Sequence, residues 1–127
     1  MKRDWTLIIL AILACDAAPA PRPGTGTVAI GADVPVELRA GAELYGLNCA
    51  SCHGEEAVGT DQGPPLVHRI YEPSHHADGA FLMAALRGVT AHHWTFGDMP
   101  PVEGITQEQV QAITTYVRWL QRRAGIQ

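Results

Sequence analysis

The fold is decided by the stretch Cys49-Ala50-Ser51-Cys52-His53. Two thiols separated by two residues, with an imidazole directly after the second, form the pattern through which haem is attached covalently to a protein chain. Thiols at this spacing lie on one turn of chain, so both can reach the vinyl groups of one haem and form thioether bonds. The imidazole that follows can then donate a nitrogen to the iron. The stretch predicts one covalent haem c per chain, bound through Cys49 and Cys52, with His53 as an iron ligand.

Other uses of the two thiols are less consistent with their surroundings. A redox dithiol of the thioredoxin kind follows a strand in a βαβ unit, whereas nothing before Cys49 has the pattern of a strand. A structural zinc site needs four ligands and usually spaces its histidines by roughly three to five residues. The histidines here form adjacent pairs, His75-His76 and His92-His93. A disulfide across two residues would be strained. Haem attachment is the preferred interpretation, with zinc and a redox dithiol as the alternatives.

Residues 1–14 have the features of a secretory signal. A basic start, Lys2-Arg3, is followed by the apolar run Leu7–Ala14, which is too short to span a bilayer as a mature helix. The run ends in Ile12-Leu13-Ala14-Cys15. This ending resembles the bacterial lipoprotein box, in which the cysteine is lipidated and becomes the mature N-terminus. We therefore expect lipidation at Cys15; the alternative is an ordinary signal, cleaved nearby, with Cys15 incidental.

Residues 15–35 are rich in Ala, Pro, Gly and Thr. Such a composition does not bury enough apolar surface to order itself. We expect these residues to form a disordered tether between the lipid anchor and a folded domain over residues 36–127. A passive or cleaved spacer is the alternative.

The charge balance argues against a nucleic-acid partner. From Cys15 onward the chain has 7 Arg, no Lys and 12 Asp plus Glu, a balance of −5. A phosphate backbone is bound mainly through basic side chains, and the one basic cluster here is Arg118, Arg122 and Arg123. We expect redox protein partners to dock on a mixed or apolar surface, with weak electrostatic steering.

Three segments have helical periodicity, and none has the alternation of a useful strand. The first two extend over residues 36–48 and 79–87. In the third, Thr106 and Gln109 predict a capping box, and Gly125 predicts the helix end. The sequence therefore predicts an all-α fold, in which the third helix buries an apolar stripe made of Val110, Ile113, Val117 and Leu120.

From Val36 to Ile126 the chain resembles a class I cytochrome c domain. Gly41 and Tyr45 precede the first thiol by eight and four positions, and Tyr116 lies in the C-terminal helix. In that family, such a glycine and such aromatic residues let the N-terminal and C-terminal helices cross closely. The resemblance implies the cytochrome c fold, with three to four helices around one covalently bound haem.

The resemblance also implies two residues on opposite sides of the haem. Gly63-Pro64-Pro65-Leu66 is similar to the family segment in which a proline carbonyl accepts the second ring proton of the axial histidine, a role that falls to Pro64. Gly97-Asp98-Met99-Pro100-Pro101 is similar to the family's methionine loop, which makes Met99 the second iron ligand. A plain proline turn and an exposed loop methionine are the alternatives. Met83 is interpreted as core packing.

Two histidine pairs, His75-His76 and His92-His93, have no place in the resemblance. They are interpreted as polar loop surface near the haem edge, with a copper site or a partner contact as the alternative. Trp94, Arg69 or one of these histidines is a candidate donor to a haem propionate. His92 or His93 is a candidate replacement ligand if Met99 dissociates at alkaline pH.

Together these features predict a monohaem c-type cytochrome that carries single electrons, with His53 and Met99 as axial ligands and no catalytic residue. We expect a monomer, anchored through Cys15 to the periplasmic side of a bacterial membrane. It would exchange electrons with redox proteins, either freely or as a subunit of an oxidoreductase complex. One alternative is a haem enzyme or sensor with an open iron position that binds a small ligand or peroxide. Another is a non-haem metal module built on the histidine pairs.

Overall fold

The computed structural model describes residue 31 and residues 33–127. The predicted signal, Cys15 and most of the predicted tether lie outside these residues. In the described part of the chain, four α-helices are joined by loops, and the one β-type pairing is an isolated antiparallel bridge between Val89 and Met99. The all-α prediction is confirmed. The helices are α1 (Arg39–Asn48), α2 (Ala50–His53), α3 (Asp78–Arg87) and α4 (Gln107–Arg123), with 3-10 turns at Val36–Leu38 and Arg69–Tyr71.

Helix α4 begins and ends as its sequence predicts. The Thr106 hydroxyl accepts from the backbone N–H of Gln109, and the Gln109 side chain accepts from the backbone N–H of Thr106, which completes the capping box. At the other end, Gly125 has φ 78°, and the N–H of Ile126 donates to the carbonyl of Gln121 at 2.9 Å. This is the Schellman arrangement that ends a helix on a left-handed glycine. The predicted stripe is buried throughout, at 2% exposure for Val110, 5% for Ile113, 0% for Val117 and 8% for Leu120.

Helices α1 and α4 cross at close range. A Cβ placed on Gly41 would lie 2.3 Å from the carbonyl oxygen of Ala112, a distance that no side chain can occupy. The absence of a side chain at Gly41 therefore sets the approach of the two helices. Beside the crossing, the rings of Tyr45 and Tyr116 are 5.6 Å apart at 56°, within the range of favourable aromatic pairs. The close crossing implied by the resemblance is confirmed.

The core extends to residues before α1. Val34 is 5% exposed and packs with the α1–α4 cluster, and Asp33 forms an ion pair with Arg123 at the end of α4. Both residues belong to the stretch expected to be a tether. The folded domain therefore includes Asp33 and Val34, which precede its expected start at residue 36.

Helix α3 is only partly covered by the rest of the protein. Ala85 is its one buried residue, and Met83 and Leu86 are 42% and 41% exposed. Met83 lines an apolar cavity and is not buried among protein side chains. Apolar periodicity marks the apolar residues of a helix, but it does not distinguish a packed core from the wall of a cavity.

Substitution of Gly41 tests the crossing. We expect Gly41→Ala to destabilise the protein by about 1–3 kcal/mol, the usual range for overpacking, because the new methyl group forces two backbones apart. The measurement is guanidinium unfolding of the haem-loaded protein. Gly79→Ala is the matched control, since Gly79 also lies in a helix and its added Cβ meets nothing within 4 Å. A Gly41→Ala protein as stable as the control would contradict this account of the crossing.

Candidate functional site

The Cys49-to-His53 stretch forms a single helical turn whose last two carbonyl groups both accept hydrogen bonds. The N–H groups of Cys52 and His53 both donate to the Cys49 carbonyl, at 3.2 and 2.9 Å. The Cys52 carbonyl accepts from the Thr60 hydroxyl at 2.6 Å, and the His53 carbonyl accepts from the Gly59 N–H at 2.7 Å. Carbonyls at the end of a helix otherwise lack partners. The loop that follows therefore holds the turn in place.

A buried hydrogen bond joins this turn to α1. The Tyr45 hydroxyl donates to the Gly54 carbonyl at 2.7 Å, and Tyr45 is only 1% exposed. Burial, followed by the negative charge of a Cys49 thiolate, raises the pKa of Tyr45. The hydroxyl therefore keeps its proton at neutral pH and remains a donor. The residue directly after His53 is thus tied to the α1–α4 crossing.

The His53 imidazole has one nitrogen engaged. Its Nδ1 lies 2.8 Å from the carbonyl oxygen of Pro64. A carbonyl only accepts, so Nδ1 carries the hydrogen and Nε2 is left as the nitrogen with a free lone pair. Burial lowers the pKa of His53, and the bond to Pro64 acts in the opposite direction. The neutral imidazole, the form that binds metals, is favoured.

An apolar cavity of about 330 Å³ opens beside this turn. Cys49, His53 and Pro64 lie on its wall, and Met99, which comes from a different loop, also lines it. The structure therefore brings four of the predicted site residues to one cavity. Most of the remaining lining is aliphatic or aromatic and comes from Leu66, Phe81, Met83, Ala84, Ala85, Val89, Val102, Ile105, Val110 and Ile113.

The two cysteines differ in their surroundings. Cys49 is half-buried, Cys52 is exposed and lines no part of the cavity, and both are free thiols. Burial, followed by the charge of a Cys52 thiolate, raises the pKa of Cys49 to about 11. A redox dithiol of the thioredoxin kind lies in a βαβ unit, and the residues that the structure describes contain no such unit. The structure therefore disfavours the redox-dithiol alternative.

Met99 is held by its backbone against the end of α3. Val89 and Met99 exchange two N–H to carbonyl hydrogen bonds, each 2.9 Å long. Gly88, the residue that ends α3, has φ 75°, and a Cβ there would lie 2.5 Å from the Met99 carbonyl. Gly88 thus ends α3 at a positive φ that other residues rarely adopt. In the structure it also lets the methionine segment lie against the end of the helix.

Trp94 and Arg69, two of the candidate donors to a haem propionate, differ from that expectation. Trp94 already donates to another side chain, and Arg69 lies outside the cavity. The Trp94 indole N–H donates to the Tyr71 hydroxyl at 3.1 Å, so it already has a partner. Arg69 is exposed and borders a separate groove formed with Gly125 and its neighbours at the C-terminus. Its segment turns toward the C-terminal end of α4, away from the residues that line the cavity, so the structure does not support Arg69 as a candidate donor.

Arg118, one of the three residues of the basic cluster in the sequence, is buried. It is 6% exposed, and its guanidinium donates to Asp78, to the Gln121 side chain and to the carbonyls of Tyr71 and His76. A buried charge is tolerated only when its donors are satisfied in this way. Thr114 and Gln121, on the same helix, are also buried. Their spacing from Arg118 places the three residues on one side of α4, and this spacing is the signal in the sequence for a second buried face.

The four histidines of the two pairs come together. Ring centroids are 4.7 Å apart for His75 and His76, 4.3 Å for His92 and His93, and 5.2 Å for His76 and His93. His76, His92 and His93 also line the cavity. Desolvation, together with the charges of its histidine neighbours, lowers the pKa of His93. The loops that carry the two pairs therefore converge, and their histidines are exposed or half-buried residues at the edge of the cavity.

A helical domain that closes an apolar cavity beside a Cys-x-x-Cys-His turn is the arrangement of a haem-binding electron-transfer protein. The family model described as Cytochrome c matches residues 38–121. This match covers more than half of the chain, and the chain belongs to the cytochrome c family. Members of that family bind haem and generally carry electrons. Comparisons with curated proteins and with solved structures gave no match.

The residues present fit haem. The cavity is apolar, one thiol of the attachment pair lies on its wall, and the other lies one turn further along. The single histidine of the turn has its Nδ1 engaged with a carbonyl, which leaves Nε2 for iron. In the described part of the chain, the one grouping of residues able to hold a metal ion through side-chain ligands contains none of these three residues. The alternative of a zinc site on the two thiols therefore receives no support.

Removal of the Tyr45 hydroxyl tests the bond between α1 and the turn. We expect Tyr45→Phe to lower the free energy of unfolding by about 0.5–1.5 kcal/mol, the usual net value of one hydrogen bond. The loss is moderate because the Gly54 carbonyl also accepts from the Ala57 N–H at 3.1 Å. Tyr116→Phe is the control, since it removes a hydroxyl from the same ring pair without removing a hydrogen bond among the residues that the structure describes. Equal stability of the two variants in denaturant unfolding would refute a stabilising role for the bond.

Proposed function

We propose that the chain is a monohaem c-type cytochrome that carries single electrons between redox proteins, with His53 and Met99 as its axial ligands. The observation that supports this most directly is that the two side chains line one apolar cavity, which Cys49 also borders. An imidazole and a thioether are the ligand pair of electron-carrying cytochromes c. When bound, the haem supplies an iron that gains and loses one electron.

Pro64 fixes the orientation of the histidine ligand in this proposal. Its carbonyl accepts from Nδ1 of His53 at 2.8 Å, which determines the tautomer and limits rotation of the ring. A hydrogen bond of this kind also makes the opposite nitrogen more basic. A ligand held in this way moves little between oxidation states, and small movement favours fast electron transfer.

Met99 provides the opposite ligand from a segment whose backbone is anchored at both ends. The Val89–Met99 pair fixes the position of the residue, and Pro100 and Pro101 restrict the chain directly after it. The thioether is a soft neutral ligand that raises the reduction potential relative to a second histidine. Met83 also lines the cavity, so it is the residue with which Met99 must be compared.

Paired methionine substitutions test the ligand assignment. We expect oxidised wild-type protein to show the weak far-red absorption band of methionine-ligated iron, Met99→Leu to lose it, and Met83→Leu to keep it. Leucine preserves most of the volume of methionine, so the cavity wall changes little. Reduced Met99→Leu is expected to bind carbon monoxide, because one iron position is then open.

Two outcomes would overturn the assignment. Loss of the band in Met83→Leu, with its retention in Met99→Leu, would transfer the ligand role to Met83. Absence of the band in the wild type, together with carbon monoxide binding by its reduced form, would favour the enzyme or sensor with an open iron position.

We further propose that the protein is anchored through lipid on Cys15 at the periplasmic side of a bacterial membrane. The support comes from the sequence Ile12-Leu13-Ala14-Cys15 and from the composition of residues 15–35. No helix among the residues that the structure describes is long and apolar enough to cross a membrane. One acyl chain alone binds a membrane only marginally, so the multiple acyl chains of a lipoprotein are required for stable attachment.

Labelling with a fatty acid tests the anchor. We expect wild-type protein to incorporate labelled fatty acid during expression and Cys15→Ser to incorporate none, with haem content equal in both. The measurement is radiolabel or mass on the purified chain. Incorporation by Cys15→Ser, or none by the wild type, would remove the lipid from the proposal and leave haem binding unaffected.

A further inference from the structure

We propose that His75, His76 and His93 form a binding site for a divalent first-row transition-metal ion of the Zn²⁺ or Cu²⁺ class, at the rim of the apolar cavity. One ring nitrogen from each of the three residues lies within 4.8 Å of those of the other two. These residues come from two loops that are far apart in sequence. No haem ligand belongs to the set, so the site is chemically separate from the haem attachment turn.

His76 is oriented as a metal ligand would be. Its Nδ1 lies 2.6 Å from the carbonyl oxygen of Ile70, and since a carbonyl only accepts, the hydrogen is on Nδ1 and Nε2 is free to bind a metal. Metal-binding histidines nearly always donate their second nitrogen to a carbonyl, carboxylate or water. Half-buried His76 is therefore the fixed ligand of the three.

The backbones that carry the ligands are also fixed. The N–H groups of His75 and His76 donate to the Glu72 carbonyl at 3.0 and 2.8 Å, and the His76 carbonyl accepts from buried Arg118. On the other loop, the Ala91 N–H donates to the Asp98 carboxylate at 2.9 Å. The positions of both loops are thus set by hydrogen bonds that do not involve the imidazole rings.

The geometry requires only side-chain movement to close on an ion. Three nitrogens around a tetrahedral zinc at 2.0–2.1 Å lie about 3.4 Å apart, so nitrogens separated by up to 4.8 Å must approach by roughly an ångström. His75 and His93 are exposed, and rotation of their side chains can provide this. Neutral imidazole ligands suit zinc and copper, and the exposure of the site leaves a fourth position for water.

Zinc binding by the haem-loaded protein tests the site. Chelator-treated protein is dialysed against Zn²⁺, and bound zinc and iron are measured together by elemental analysis. We expect one zinc per iron in the wild type. His75→Ala and His93→Ala are each expected to weaken binding by more than about tenfold, since even the loss of an outer hydrogen-bond partner of a ligand typically costs 10–100-fold.

His68→Asn is the matched control. His68 is outside the three-residue set, and its Nδ1 accepts from the Ile70 N–H at 3.2 Å, a role that an asparagine oxygen can replace. We expect this variant to bind zinc as the wild type does. His75 and His93 are at exposed positions, so an unchanged haem spectrum and melting temperature should verify that their variants are folded.

The results that differ from these expectations separate failure of the zinc site from failure of the haem proposal. Zinc well below one per iron in the wild type, or equal affinity in wild type, His75→Ala and His93→Ala, would show adventitious binding only and remove the site. Loss of binding in His68→Asn, with its fold intact, would also overturn the assigned ligand set. Protein without iron would instead contradict the haem proposal. Its free thiols could then also bind zinc, so the comparison of wild type with His75→Ala and His93→Ala would decide the histidine site on that protein.

Discussion

The close contact of α1 with α4 at Gly41 is the constraint on which the site depends. Because no side chain separates Gly41 from the Ala112 carbonyl, the two helices lie near enough for Tyr45 to pack on Tyr116. From that position the Tyr45 hydroxyl reaches the Gly54 carbonyl, directly after His53. A contact between two helices is therefore transmitted through one ring and one hydrogen bond to the backbone of the Cys49-to-His53 turn.

A second constraint acts from the same helix on the other side of the cavity. Arg118 on α4 donates to the carbonyls of Tyr71 and His76, and its ion pair with Asp78 involves a carboxylate that is 73% exposed. Exposed ion pairs contribute little because water screens them. The bonds to the two carbonyls are less exposed, and they determine the course of the loop before α3. Arg118, a member of the one basic cluster in the sequence, therefore organises the protein interior.

The features that were predictable from the sequence depend on residues close together in the chain. The capping box, the apolar stripe of α4 and the attachment turn each follow from spacings of a few residues, and each is present in the structure. The convergence of His75-His76 with His92-His93 follows from the paths of two loops, and no local pattern encodes it. Met83 shows a further limit, since an apolar residue that faces a cavity and one that faces a packed core have the same helical spacing. The match of residues 38–121 to the cytochrome c family likewise leaves these loop features undetermined.

The segment from Val89 to Met99 is a closed loop that carries both Met99 and one of the two histidine pairs. Its ends are joined by the two hydrogen bonds of the Val89–Met99 pair, and its middle carries His92 and His93. A short loop whose ends are fixed to each other has few conformations, so a shift at its tip is transmitted to its base. The thioether of Met99 and the imidazole of His93 are therefore positioned by the same backbone. Because Asp98 also closes the loop on Ala91, the residues nearest Met99 contribute to holding the histidines in place.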